Sequence, residues 1–388
     1  MSDPLHTLTL GQLRERRSLK WRHYPPDVLP LWVAEMDATL PPAVVATVRD
    51  ALEAGDAGYP VPDAYVEAHV AFSRARWGWA PDPAGARLVP DVMLGIVEVL
   101  GLVTDPGDAV VVTPPVYPPF FGFLGHARRR IVEAPLGEDL RLDLDVLDAA
   151  LRDAVAGGRR AALLLCSPHN PTGTVHTADE LAAVAERAAA HGVRVVVDEI
   201  HAPLTLGATR FTPYLSVPGT DDAFVLTSAS KAFNLAGLKA GFLIAENPAL
   251  LARAKAVAGQ LLPGVNVMGQ VATLAAYRDG GPWFEAALTY LRANRDHLLA
   301  RLATEAPVVR GYAPEGTYLV WLDFRGAGLG DDPARALLER GRVALNAGPD
   351  YGAGGAGFAR FNVATSRAIL DAAIDRLVAT VSDARGSS

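Results

Sequence analysis

Of the 36 basic residues in this chain of 388, only four are lysines: Lys20, Lys231, Lys239 and Lys255. The rest are arginines, whose guanidinium stays protonated under ordinary conditions. An amine can lose its proton, attack a carbonyl and form an imine, so each lysine kept in so arginine-rich a chain poses a chemical question. Lys231 and Lys239 share the segment SASKAFNLAGLK with Ser228, and other chemically able groups sit in similar short segments: Tyr117 in PPVYPPFF, Asn170 in SPHNPTG and Asp198 in DEIHAP. An amine, a carboxylate, hydroxyls and a flat aromatic gathered in one crevice would suit pyridoxal phosphate (PLP). Lys231 would hold its aldehyde as a Schiff base, Asp198 would keep the ring nitrogen protonated, and Tyr117 would stack on the ring. Ser228, Lys239 and backbone N–H groups would receive the phosphate.

The elements that would gather them can be read from the apolar pattern. Asp108 to Thr113, Ala161 to Cys166, Val193 to Val197 and Ala223 to Thr227 are continuous apolar runs, as expected of strands covered on both faces. Between the second and third, Thr177 with Glu180 makes a capping box, Leu181, Val184, Ala185 and Ala188 follow helical spacing, and Gly192 marks the stop. Strand, crossover helix and strand predict an α/β fold with a mostly parallel sheet. Ligands bind such sheets beyond the carboxyl ends of the strands, which is where Tyr117, Asn170, Asp198, Ser228 and Lys231 all fall. Further on, the pattern predicts a long helix from Trp283 to Ala303, strands near Thr317 to Asp323 and Phe358 to Val363, and a closing helix from Ser366 to about Val381. The expected division is an N-terminal segment, 1–40, joining the small domain; a large cofactor-binding domain, 41–282; and a small α/β C-terminal domain, 283–388.

Each residue also has a plainer reading taken singly. Asp198 could cap a loop, Asn170-Pro171-Thr172-Gly173 is a good turn, Tyr117 could pack on prolines, Ser228 and Ser230 could cap a helix, and Lys239 could be a solvated charge. Those readings require several independent coincidences at equivalent sheet positions. GAGGAG at 352–357 fits a dinucleotide-binding pattern by letter, but it neither follows a predicted strand nor opens a helix, and reads as a flexible loop. A net charge of −7 argues against a nucleic-acid surface, and the single Cys166 excludes an internal disulfide and a cysteine metal cluster. With no positively charged leader and no run of 18 apolar residues, a cytoplasmic protein that binds no membrane is expected.

SASKAFNLAGLKAGF, DEIHAP, SPHNPTGTV and FARFNVA resemble blocks of the fold type I PLP enzymes of the class I/II aminotransferase family. The N-terminal SLKWRHYPPDVLPLWVAEMDATLPPAVV, the Gly58-Tyr59 pair, and His169 and His201 resemble the narrower MalY/PatB group of cystathionine beta-lyases. The resemblance implies Lys231 as the Schiff-base lysine, Asp198 on the pyridine nitrogen, Asn170 and His201 at the phenolic oxygen, and Tyr117 on the ring. It places Ser228, Lys239 and the backbone of Val92 and Met93 at the phosphate, together with Tyr59 lent to a neighbouring subunit, and so implies a homodimer with shared sites. Arg360 matches the arginine that pairs with the substrate α-carboxylate, a role suited to a planar fork of donors. Two positions depart from the family: Asp91 stands where glycine is common, and Glu35 replaces an aspartate.

The implied activity is α,β-elimination from cystathionine or another S-substituted L-cysteine, giving thiol, pyruvate and ammonia. Transamination of an L-amino acid shares its first steps, so the PLP motifs leave both open and only the N-terminal resemblance favours the lyase. A PLP-fold protein with a regulatory binding role is the reading of a different class. Lys20 lies in the N-terminal block with no role that the sequence supplies, and Lys255 reads as a surface charge.

Overall fold

Seven short strands form the central sheet of the computed structural model: β1 Ala86–Val89, β2 Ala109–Val112, β3 Arg130–Glu133, β4 Ala161–Cys166, β5 Arg194–Asp198, β6 Ala223–Thr227 and β7 Gly241–Ile244. The structure describes residues 4–386, apart from the side chain of Ala256. The sheet order is β1-β7-β6-β5-β4-β2-β3, and only β7 runs antiparallel to its neighbours. Alternate residues of one strand pack into different cores: Leu163 and Leu165 lie with Leu147, Leu151, Leu181 and Val184 on one face, while Ala162 and Leu164 lie with Ile96, Val99 and Phe120 on the other. Coverage on both faces is what a continuous apolar strand requires.

The crossover helix Ala178–Ala190 begins at Thr177 with both halves of its capping box formed. The sequence reading lacks β1, β3 and β7: β1 and β3 mix charged with apolar residues, and β7 opens on a glycine, which weakens a strand signal. The closing helix, Arg367–Gly386, runs past the expected Val381 because Ser-Asp-Ala-Arg offers no stop signal.

A second sheet, of four antiparallel strands, orders Asn346–Ala347, Phe358–Asn362, Leu319–Asp323 and Arg310–Tyr312. It shares one core with the helix Gly281–Glu305, the closing helix and N-terminal residues Leu13, Trp21, Leu29 and Leu31. Leu29 and Pro30 pair in parallel with Val343 and Ala344, which ties the N-terminal segment to this region. Among the described residues no helix is long and apolar enough to cross a membrane.

The glycine loop before Phe358 differs from the flexible loop expected. A Cβ on Gly355 would stand 2.0 Å from the Gly348 carbonyl oxygen, so the loop is packed backbone on backbone. Its glycines permit close approach within the chain itself.

Candidate active site

The carboxyl ends of β2, β4, β5 and β6 open on one cavity of about 300 Å³, lined by Tyr117, Asn170, Asp198, His201, Lys231, Lys239, Val92 and Met93 among others. Eight of the residues singled out from sequence therefore meet there. Asp198 is the last residue of β5, Tyr117 follows β2, Asn170 follows β4, and Lys231 follows β6 on a turn. The turn at Asn170 is held from behind: the His169 ring bonds the Thr172 hydroxyl at 3.0 Å and the Thr113 carbonyl at 3.1 Å. Gly173 closes it at φ +71°, where a Cβ would fall 2.2 Å from that of Pro314.

The electrostatics are those of a site that handles protons. Burial lowers the pKa of the Lys231 ammonium to about 8, helped by the Arg360 charge and opposed by Asp198 and Glu35. Burial raises the Asp198 carboxyl to about 6, against the Ile200 N–H, which donates to it at 3.0 Å, and against Lys231. A protonated ring nitrogen on that carboxylate would favour its ionised form again. His201 is held far below the usual imidazole range by burial and by Lys231 and Arg360, so its ring is neutral.

Arg360, on the middle strand pair of the small sheet, is 2 % exposed. Its Nη1 donates to Asn170 Oδ1 at 2.9 Å and its Nη2 to the Trp32 carbonyl at 2.7 Å. Its Nε is buried without a partner, as is Nδ1 of His201. Unsatisfied buried polar atoms of this kind are costly and call for a ligand group to meet them. One lies where a substrate carboxylate is expected and the other where a phenolic oxygen is expected, so the residues present fit PLP and an amino acid.

At the end of the cavity where the family resemblance places a phosphate, the helix Val92–Val103 points its N-terminus at the cavity, with the N–H groups of Val92 and Met93 lacking intrahelical partners as in any first turn. Asp91, the departure from glycine, is the N-cap: its Oδ1 accepts from the Leu94 N–H at 2.8 Å, and its Oδ2 pairs with Lys239 Nζ at 2.9 Å. The carboxylate thus holds Lys239 beside the cradle while taking only the third N–H.

Two expected residues lie elsewhere. Ser228 sits behind the wall, donating to the Ala240 carbonyl at 2.7 Å and accepting from the Ser230 N–H at 3.1 Å, so that Ser230, read from sequence only as a cap, lines the cavity. Tyr59 is 85 % exposed and away from its own chain's cavity. Sequence reasoning also missed the backbone carbonyl of Ala34, which accepts from Lys231 Nζ at 3.0 Å. A carbonyl leaves no trace in residue type.

Comparison with known proteins agrees with this geometry. The chain is 51% identical over 399 residues to a Mycobacterium tuberculosis protein provisionally named a cystathionine beta-lyase, covering 97% of each chain. It is 36% identical to cystathionine beta-lyase PatB of Bacillus subtilis, covering 92% of this chain and 93% of that one. Cystalysin from Treponema denticola, whose crystal structure contains pyridoxal 5'-phosphate, superposes with a TM-score of 0.91 at 26% identity, covering 99% of this chain and 100% of the other. Residues 89–377 match the family described as aminotransferase class I and II, and with Lys231, Asp198, Asn170 and Arg360 converging as they do, the chain belongs to that family.

Proposed function

We propose that this protein is a PLP-dependent cystathionine β-lyase, which splits cystathionine or another S-substituted L-cysteine into thiol, pyruvate and ammonia. The carrying observation is that likeness to carbon–sulfur lyases extends over nearly the whole chain, N-terminal segment included, around an intact Lys231, Asp198 and Arg360 set. When bound through Lys231, the cofactor supplies an electron sink for the pair left behind as the α-proton departs.

The residues then divide the work. Arg360 offers its unpartnered Nε and an Nη to the substrate carboxylate, fixing which bond stands ready to break. The Lys231 amine, its pKa lowered to about 8 by burial, would be neutral often enough to take the α-proton. The same amine can return that proton to the departing sulfur. Asp198 would hold a proton on the ring nitrogen, Asn170 and His201 would meet the phenolic oxygen, and Tyr117 would cover the ring. The Val92 and Met93 N–H groups, Ser230 and Lys239 would serve the phosphate, with Ser228 holding the turn behind them.

A homodimer belongs to this reading. Tyr59, Val61, Val45 and Leu52 are exposed on one chain, an apolar display that a second copy would cover. The site would then gain the partner subunit's Tyr59 at its phosphate. A cytoplasmic setting goes with it, a reducing compartment in which the lone Cys166 stays a thiol.

The test is incubation of pure protein with L-cystathionine and no keto acid. Pyruvate and thiol accumulating over many turnovers support the lyase. A single turnover that stops with the cofactor as pyridoxamine phosphate would replace it with a transaminase.

A further inference from the structure

Lys20 is the lysine without a role in the sequence, and in the fold it is completely buried against Asp37, with no exposure of either side chain. Its ammonium donates to Asp37 Oδ2 at 2.8 Å and to the Glu35 carbonyl at 3.1 Å. The other Asp37 oxygen accepts from the Trp21 indole N–H at 2.8 Å, and the Asp37 N–H donates to the Ala364 carbonyl at 2.8 Å. The pair therefore clamps one end of the segment Trp32–Ala38.

That segment has an unusual hydrogen-bond pattern: five successive carbonyls each accept from a side chain. Trp32 accepts from Arg360, Val33 from Asn362, Ala34 from Lys231, Glu35 from Asn362 and Lys20, and Met36 from Asn234 and Arg16. Two of the donors, Lys231 and Arg360, are the groups assigned to the proton and the substrate carboxylate. Their present acceptors must be surrendered, wholly or partly, when substrate and cofactor occupy them. The strap stays in register through that exchange only if its other donors hold it.

We infer that Lys20 and Asp37 are positioning residues, a buried ion pair that fixes the strap so that the Trp32 and Ala34 carbonyls aim at Arg360 and Lys231. Stability alone does not account for the pair, because apolar residues of similar volume usually replace a buried ion pair with no loss. A compact ammonium with three donors also suits the enclosed site better than a guanidinium fork, which answers why lysine persists here. The inference rests on the roles proposed above for Lys231 and Arg360.

The experiment uses holoenzyme and the double variant Lys20→Met with Asp37→Asn, which removes both charges together and keeps an acceptor for Trp21. Circular dichroism and Tm report the fold, and the absorbance band of the lysine-bound cofactor reports loading. The expected result is a folded, loaded variant whose KM for L-cystathionine rises about tenfold with a smaller change in kcat, and whose band titrates at a shifted pH. Arg16→Met loosens the same strap from a half-buried position without leaving a charge unpaired, and raises KM about threefold. Should the double variant fail to fold, Arg16→Met alone decides. Loaded variants with KM and titration midpoint equal to wild type overturn the inference. A wild type that releases no thiol instead overturns the proposed function, and leaves the variants uninterpreted only in kcat and KM, since the band titration still reads the strap.

Discussion

The sheet end and the strap Trp32–Ala38 both touch Lys231, and they present opposite kinds of chemistry. At the sheet end, Asp198, Asn170, Tyr117 and His201 act through side chains, each set by the last residue of a strand or the turn after it. On the strap, the acting groups are backbone carbonyls, and the side chains that grip them come from the N-terminal segment, the large sheet region and the small sheet. In the proposed reading the first region supplies reactive and binding groups, and the second holds the Lys231 and Arg360 cations on its carbonyls. A site can thus carry half of its organisation in atoms that every residue type shares.

Substitutions separate the two halves, beginning with the most severe. Lys231→Ala removes the amine itself, and elimination from cystathionine should fall by about a thousandfold or more. The absorbance of the lysine-bound cofactor should disappear with it; a surviving band would mean another lysine serves. Arg360→Lys keeps the charge and loses the fork, so the predicted loss is a rise in KM of roughly thirtyfold with kcat less affected. Steady-state kinetics on cystathionine would show it, and an unchanged KM would move the carboxylate site elsewhere.

The pH dependence of cofactor capture tests the sheet end in a milder way. Only the neutral amine attacks the aldehyde, and Lys231 in the cofactor-free protein loses its proton near pH 8. The capture rate by apoprotein should therefore climb about tenfold between pH 7 and pH 9 and level off above, the sign expected for a nucleophile with a lowered pKa. A rate flat across that range would place the lysine in different surroundings. The smallest effect belongs to the strap. Asn234→Ala leaves the Met36 N–H without its side-chain partner and the Met36 carbonyl with Arg16 alone, at a cost of about 2 kcal/mol, seen as a lower Tm with the cofactor band retained.

Legibility followed the same division. β4 and β6 match the predicted runs residue for residue, because strands buried on both faces cannot avoid a continuous apolar signature. The short edge strand β3, with its half-buried Arg-Ile-Val-Glu, carries no such signature and was missed. Asp198, Asn170, Tyr117 and Lys231 were legible because strand ends are where ligands bind and because few residue types can do their chemistry. The retreat of Ser228 behind Ser230 was not, since two serines separated by one residue differ only in which way the turn points them. Asp91 was legible as an anomaly, and only its contacts with Leu94 and Lys239 show a cap that also holds a lysine.

By itself the sequence determined the α/β class and the four core strands, and singled out the lysine and the carboxylate that the fold brings into one cavity, while Arg360 was legible only through the family resemblance. The class, the strands, the lysine and the carboxylate follow from local rules: apolar period, turn chemistry and the small number of side chains that can carry a proton. Tertiary structure alone decided what Lys20 is for, how five strap carbonyls are gripped, and why Arg360 and Lys231 wait on Trp32 and Ala34. Hydrogen bonds between a strap carbonyl and a side chain up to 329 positions away leave no local pattern, because the donor's identity is fixed by where the folded chain brings it.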